Sequence, residues 1–441
     1  MAQNEYLSGP EGSSRPLHYI TATLTGPRNR GIDPPAVELR CYRIRGIPIT
    51  TPEDDVQRHL AKYFHNPNGG LKFTLALSHG KWLTATIMSL PPTAEPSPYE
   101  VDSHFLGITP LSGKEDAVLD IIAIPDLDSH AIGGFKAKTG TNVWLRDFLP
   151  EDIPTARVLT YGYDTAIAEK NAKYSITDLA KAFLDSYKSF REQTQTSRRP
   201  IIFIGHGLGG LLIKEALSMS HKGNKDPQNN SFFKSSYGLV FFGVPNLGLR
   251  DGPLKEVVAG QLNEQMIWDL QVDKESEPTP YLRELAKKFI DCSEAQEPSF
   301  NITAYYEQRK TVTMKEMPDG TLSRTGERCF IVTQQSATRI GLEDRDDEWY
   351  PLDLDHSELV KFRSQFDDSY ARVLNRLKAV AERAPKAVER RFIDNRLSED
   401  ERRHWHNLNV PVYASLKNEP RLQSHLLLLN HQKQPEFEQG L

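Results

Sequence analysis

Cysteine is scarce: Cys41, Cys292 and Cys329 are the only three in 441 residues. Odd in number and far apart, they offer neither a disulfide framework nor a zinc-ligand spacing, and they fit the reduced thiols of a cytoplasmic protein. Neither sign of charge dominates. The 54 Lys and Arg against 59 Asp and Glu leave a formal net charge of −5, so no basic excess points to nucleic acid or an anionic membrane. The pairs Arg198-Arg199 and Arg390-Arg391 are too short to change that. Long apolar runs are missing too. Stretches such as Gly238–Val244 fall far short of the ~18–20 residues of a membrane span. The start, Met1-Ala2-Gln3-Asn4-Glu5, lacks the basic region and apolar core of a secretory leader, and no G-x-x-x-x-G-K-[ST] phosphate loop occurs. With 38% hydrophobic and 26% charged residues, the chain is too apolar for disorder and too polar for a membrane protein. Its length implies two or three domains. The expectation is a soluble, cytoplasmic, mostly globular protein.

Residues 1–34, rich in Gly, Pro, Ser and Arg, read as a mobile arm. Residues 35–90 read as a small α+β module of βαββ order: a strand at Val37–Ile47, a helix opened by Thr51-Pro52-Glu53-Asp54, and strands at Leu71–Leu77 and Trp82–Leu90. That order also opens an RNA-recognition fold, which needs aromatics on its central strands for base stacking. The strand Leu83-Thr84-Ala85-Thr86-Ile87 has none, so a packing or protein-docking module fits better. Residues 91–100 are a stiff linker containing Pro91, Pro92, Pro96 and Pro98. From 101 to 385 apolar β-branched runs alternate with helical stretches, which is the pattern of parallel strands buried between helices. Candidate strands are Leu119–Ile124, Arg157–Tyr161, Ile201–Ile204, Leu239–Phe242, Ile302–Tyr306 and Cys329–Val332. Candidate helices are Ile176–Gln193, Leu211–Met219, Leu254–Val272 and Tyr281–Asp291. Lys222–Ser231 and Met314–Glu327 read as surface insertions, the second a hairpin around Pro318-Asp319-Gly320. A long helix after His356 puts Phe366, Tyr370, Val373, Leu377 and Val380 on one face. Residues 386–441 read as a polar tail.

The segment Ile201-Ile202-Phe203-Ile204-Gly205-His206-Gly207-Leu208-Gly209-Gly210-Leu211 runs from an apolar strand through a glycine-rich turn into a helix. Three readings compete. Gly205, Gly207 and Gly210 satisfy the G-x-G-x-x-G of a dinucleotide site, but the next strand ends in Phe242-Gly243-Val244-Pro245-Asn246 without the acid that holds the ribose. A nucleophile elbow, G-x-S-x-G, fits the frame, yet Gly207 stands at its apex and has nothing to attack with. The remaining reading keeps the elbow as architecture and drops the reaction. Asp344, Asp346, Asp347 and Glu348 lack the spacing of a calcium loop and read as a solvated acidic run, so no metal or cofactor is expected.

The chain resembles the serine-esterase-like α/β-hydrolase domain at the N-terminus of many fungal NACHT-type (NLR-like) signalling proteins. The resemblance covers roughly residues 100–385. It is carried by Phe105–Leu111, Trp144–Pro150, Thr160–Asp164, the elbow, Gly243-Val244-Pro245, Ser336-Ala337-Thr338 and Asp355–Phe362. It implies an α/β-hydrolase fold, with a partly helical cap over Leu247–Ser299, preceded by the small α+β module. It also implies where a triad would stand: Gly207 at the nucleophile position, Glu307 at the acid, His356 at the histidine, with Leu208 and Asp126 supplying oxyanion-hole backbone. Where the family has His-Gly this chain has Pro125-Asp126, and where it has Pro-His this chain has Pro245-Asn246. An acid aimed into the oxyanion site would repel the charge that N–H donors should stabilise. Glu307 and His356 are expected to form a retained structural pair and His206 to pack under the elbow; Ser129 and His130, near the same mouth, are a less favoured source of a relocated nucleophile. Three altered positions around one pocket imply a non-hydrolytic protein-interaction or ligand-sensing module of NLR-type signalling, with a protein partner and an acyl or lipid-like ligand. The alternative is an active carboxylic-ester hydrolase in which His356 and Glu307 serve a substitute nucleophile or a water.

Overall fold

A run such as Ile121-Ile122-Ala123-Ile124 has no polar alternation to turn toward water, so as a strand it must be covered on both faces. The computed structural model describes residues 39–66, 71–93, 97–113, 116–164, 173–250, 254–255, 258–272, 277–317, 322–340 and 348–393. The expected arm, most of the expected tail, Pro318-Asp319-Gly320 and the acids Asp344, Asp346 and Asp347 lie outside them.

In chain order, β1 (Arg40–Pro48), α1 (Glu53–Tyr63), β2 (Phe73–His79), β3 (Trp82–Ser89) and β4 (Glu100–Asp102) form a four-stranded antiparallel sheet of order β2-β3-β1-β4. The helix starts at Glu53, and no side chain caps it; three acids in its first turn complement the helix dipole instead. Tyr42 and Ile44 pack under Val56, Leu60 and Phe64 of this unit. The alternate residues Arg43, Thr84 and Thr86 are also buried. Arg43 donates to Asp102, to the Leu106 carbonyl and to Thr109 Oγ1, and its guanidinium lies 5.4 Å from the Phe105 ring. Both faces are therefore covered, which leaves no open platform for stacking bases.

The larger sheet comprises β5 (Gly107–Ser112), β6 (Leu119–Ile124), β7 (Ala156–Gly162), β8 (Ile201–His206), β9 (Ser236–Phe242), β10 (Asn301–Glu307) and, past four two-residue strands, β15 (Glu348–Leu352). Its order is β15-β10-β9-β8-β6-β7-β5, parallel except for β5. Those short strands are β11 (Thr311–Val312), β12 (Lys315–Glu316), β13 (Leu322–Ser323) and β14 (Arg328–Cys329), paired β11 with β14 and β12 with β13. The helices α2 (Trp144–Asp147), α3 (Leu149–Asp152), α4 (Ile176–Gln193), α5 (Leu208–Lys222), α6 (Pro227–Ser235), α7 (Glu264–Leu270), α8 (Pro280–Glu294), α9 (Gln334–Thr338) and α10 (Asp368–Ile393) cover both faces. Period-two alternation divides the core. Ile201 and Phe203 join the cluster under α4, α5 and α8, while Ile202 and Ile204 join the one under α2 and α10. The order reverses beside β6, whose neighbours are β7 and β8. The carboxyl ends of β6 and β8 thus flank the switch point at which open α/β sheets bind ligands.

Four expectations need correction. Leu254–Val272 is not one helix: residues 258–263 form turns and a bend, and α7 covers only Glu264–Leu270. Cys329–Val332 is no strand of the large sheet: only Cys329 is in a strand, paired with Thr311, and the Val332 amide is taken by a side chain. The sheet edge is β15, hidden in the sequence by Pro351, which an edge strand tolerates because its outer N–H needs no partner. Phe366 is 87% exposed, because α10 begins only at Asp368 and the residue falls outside the helical phase. Within the polar stretch 222–231, Asp226 caps α6 by accepting from the Asn229 amide, with Pro227 in the first position.

Candidate active site

Gly207 joins β8 to α5 at φ +49°, ψ −120°, a left-handed turn that side chains rarely adopt. The turn is crowded on every side. A Cβ on Gly210 would lie 2.1 Å from Val244, and one on Gly209 2.3 Å from the Ile124 carbonyl oxygen. Close packing thus accounts for the glycines without a dinucleotide. A Cβ on Gly207 itself would lie 1.9 Å from Asp126 Oδ1 and 2.2 Å from Asp126 Cγ.

Asp126 follows β6 across the switch point. Its Oδ1 accepts from the Leu208 amide, the first of α5, at 2.7 Å, and its Oδ2 lies 3.1 Å from His356 Nε2. Burial opposes the charge, but the hydrogen bond from His356, the neighbouring imidazoles and the Leu208 N–H outweigh it and hold the carboxyl well below its usual range. For His356, burial favours the neutral ring, while the bond to Asp126 and the charges of Asp126 and Glu307 win and raise its pKa. His356 Nε2 therefore carries a proton that it donates to Asp126. A phosphate approaching α5 would meet this carboxylate, which counts against the nucleotide reading.

Glu307 and His356 are brought together but not in the way a triad requires. Glu307 Oε1 accepts from the Val332 amide at 2.7 Å and Oε2 from Thr311 Oγ1 at 3.2 Å. Thr311 Oγ1 also accepts from the His356 backbone amide at 2.8 Å. His356 Nδ1, buried, has no hydrogen-bond partner among the described residues. Glu307 thus interacts with the charge and the backbone N–H of His356 rather than with its Nδ1, and Thr311, a residue nothing in the sequence singled out, bridges the two. Burial raises Glu307 above the ordinary carboxyl range.

His206, expected as packing, donates from Nε2 to the His356 carbonyl at 2.9 Å; burial pushes it down to about 3, so its ring is neutral. His130 is spent on its own loop: Nε2 lies 2.8 Å from the Ser103 carbonyl, and Nδ1 accepts from the Ile132 and Gly133 amides. Donor atoms of Asp126, His206 and His356 fall within 4.8 Å of one another, but the nitrogens that face partners already donate protons to oxygen. The pocket beside Asp126 holds a cavity of about 50 Å³. Asp126, Asp128, Arg324 and His356 are among its polar lining residues, and Leu249, Leu254, Leu270, Met314, Ile331 and Val332 among its apolar ones. Asp128 has φ +54°, and burial raises its carboxyl to about 6. Neither Asp128 nor Arg324 carried a sequence signal; both arrive from loops.

A mostly parallel sheet with an antiparallel edge, helices on both faces and a left-handed turn from the central strand into a helix define an α/β-hydrolase fold, here with glycine at the apex of the elbow. No protein-family model matches the chain. Among curated proteins it is similar to the mouse protein SERAC1, at 25% identity over 235 residues, 53% of this chain and 32% of that one. It is also similar to the zebrafish (Danio rerio) SERAC1, at 26% over 175 residues, 38% of this chain and 24% of that one. The chain thus spans a third or less of the length of these relatives. Among solved structures, a lipase-esterase related protein from Clostridium acetobutylicum shares 12% identity over 63% of this chain and 99% of its own, with a TM-score of 0.33. A carboxylesterase of Nitrososphaera gargenis shares 11% over 73% and 99%, with a TM-score of 0.35. At such scores the fold rests on strand order and elbow geometry.

Proposed function

We propose that this hydrolase-fold protein has lost ester hydrolysis and acts as a ligand-sensing or protein-interaction module, with residues 101–385 forming the sensor and residues 35–90 a docking unit. One observation carries the reading: the Asp126 carboxylate fills the space of a serine side chain at Gly207 and takes the Leu208 amide with it. A tetrahedral oxyanion would find its donor occupied by a negative charge. His356, whose Nε2 faces that carboxylate and whose Nδ1 is enclosed, has no nitrogen free to accept a proton from substrate or water. The fungal NLR-type setting and a protein partner follow from the sequence resemblance alone and a cytoplasmic location from the scarce, scattered cysteines, while the apolar lining of the pocket suits an acyl or lipid-like group.

The competing reading is an active carboxylic-ester hydrolase, with His356 and Glu307 serving a substitute nucleophile or a water. Hydrolysis of p-nitrophenyl acetate and butyrate, with labelling by a fluorophosphonate, separates the two. The expected outcome is silence in both assays. Turnover that disappears in His356→Ala would replace the non-hydrolytic reading with the enzymatic one.

A further inference from the structure

Asp126 is a carboxylate bound by its own protein. Its two oxygens satisfy two donors on different elements, the Leu208 amide at 2.7 Å and His356 Nε2 at 3.1 Å. These donors are therefore spaced for one planar carboxylate, and Gly207, without a side chain, leaves room for it. Leu254, Leu270 and Ile331 line the same pocket as Asp126 and give it an apolar surface. The cavity there, about 50 Å³, has room for roughly three to five water-sized groups, at ~10–15 Å³ each. A displaced Asp126 would face the cation of Arg324, which lines the pocket and is exposed to solvent, so it need not share the cavity with the ligand. Asp128, two residues on, sits in a left-handed backbone conformation. Strain of that kind marks segments held by their surroundings rather than by their own preference.

We propose that the pocket receives short-chain monocarboxylic acids, of propionate to butyrate size, whose carboxylate displaces that of Asp126 from Leu208 and His356 while the chain lies against Leu254, Leu270 and Ile331. The ligand names what the sensor reads, and so rests on the non-hydrolytic reading above. A phosphate fits poorly, since its tetrahedral oxygens and second charge would face Asp128. Acids of eight or more carbons exceed the cavity.

The test is calorimetric titration of the full chain with sodium butyrate, with octanoate and inorganic phosphate as comparisons. Six non-hydrogen atoms support affinity in the region of 1 mM. Saturable binding of butyrate to wild type is expected, with none for phosphate or octanoate. Asp126→Gly, which removes the tethered competitor, should bind butyrate at least tenfold tighter, and adding His356→Phe should abolish the gain. Ile331→Phe, which fills the cavity and leaves Asp126 alone, should lose butyrate binding, and it carries the test if Asp126→Gly does not fold. Absence of saturable binding to folded wild type overturns the proposal, as does binding unchanged by Ile331→Phe. If butyrate fails to bind while esters stay intact, only the ligand assignment falls; hydrolysis of p-nitrophenyl butyrate by wild type would remove the non-hydrolytic reading itself.

Discussion

Placing a serine at the elbow should not create an esterase. In Gly207→Ser the new Cβ lies 1.9 Å from Asp126 Oδ1, far inside van der Waals contact, so Asp126 must leave. Departure breaks its hydrogen bonds from the Leu208 amide and His356 Nε2 and leaves both buried donors unpaired, a loss of about 3–5 kcal/mol. The left-handed φ adds about 1–3 kcal/mol for any side chain. Asp126→Gly alone forfeits the same hydrogen bonds, but once the carboxylate is gone a serine at 207 has only the backbone strain to overcome. The two substitutions are therefore coupled, with the double variant about 3 kcal/mol more stable than the sum of the single effects. Urea unfolding of the four proteins measures this directly. Ester turnover provides a second readout: none in Gly207→Ser, and weak turnover with fluorophosphonate labelling in the double variant, where Leu208 N–H and His356 Nε2 are freed. Turnover stays low because Glu307 is held by Val332 and Thr311 rather than by His356 Nδ1. Additivity within about 0.5 kcal/mol would refute the reasoning, since it would mean that Asp126 does not occupy the serine space.

Further outcomes follow from the buried charges. His356, held above its ordinary value, contributes stability in full below about pH 6.5 and loses it as pH rises through the folded value; Asp126, held below its own, contributes above about pH 4 and loses it as pH falls through its folded value, so the pair is strongest between the two. His206 opposes this on the acid side: the unfolded chain takes its proton first, and stability falls by about 1.4 kcal/mol per pH unit from ~6.5 toward 3. His206→Gln, which keeps a donor for the His356 carbonyl, should remove that slope, and urea unfolding at pH 4 and 7 checks it; an unchanged slope rejects the assignment. Asp120 is fully buried, with Arg157, Arg191 and Arg199 all within salt-bridge distance. Asp120→Asn should cost at least about 3–5 kcal/mol by leaving guanidinium charge unpaired, and a loss below about 1 kcal/mol in urea unfolding would count against it. Arg391, 3% exposed, donates to the carbonyls of Pro298, Lys234 and Ser236 and pins the end of α10. Arg391→Ala should speed hydrogen exchange along the last turns of α10 while leaving β6 and β8 protected; uniform protection across both would refute that anchoring role.

Much of the fold was legible from local pattern. Unbroken apolar runs at Leu119–Ile124 and Ile201–Ile204 can exist only as strands covered on both faces, and Ser175 with Asp178 closes a capping box that starts α4 where the periodicity begins. The glycines around Gly207 mark a turn under close packing, and the residue types alone establish that no hydroxyl stands at its apex. Pairings between distant segments were not legible. Asp126 meets the Leu208 amide across 82 residues and His356 across 230, and no local rule distinguishes an acid pointing into that space from one pointing to water. Glu307 takes the Val332 amide, and so an apolar run that looked like a strand becomes a loop propping the pocket. Sequence by itself determined the architecture and the lack of a side chain at residue 207, because backbone preference and burial act within a few residues. Tertiary structure alone decided what fills the empty place, because electrostatic and steric fit depend on which strand ends the topology brings together.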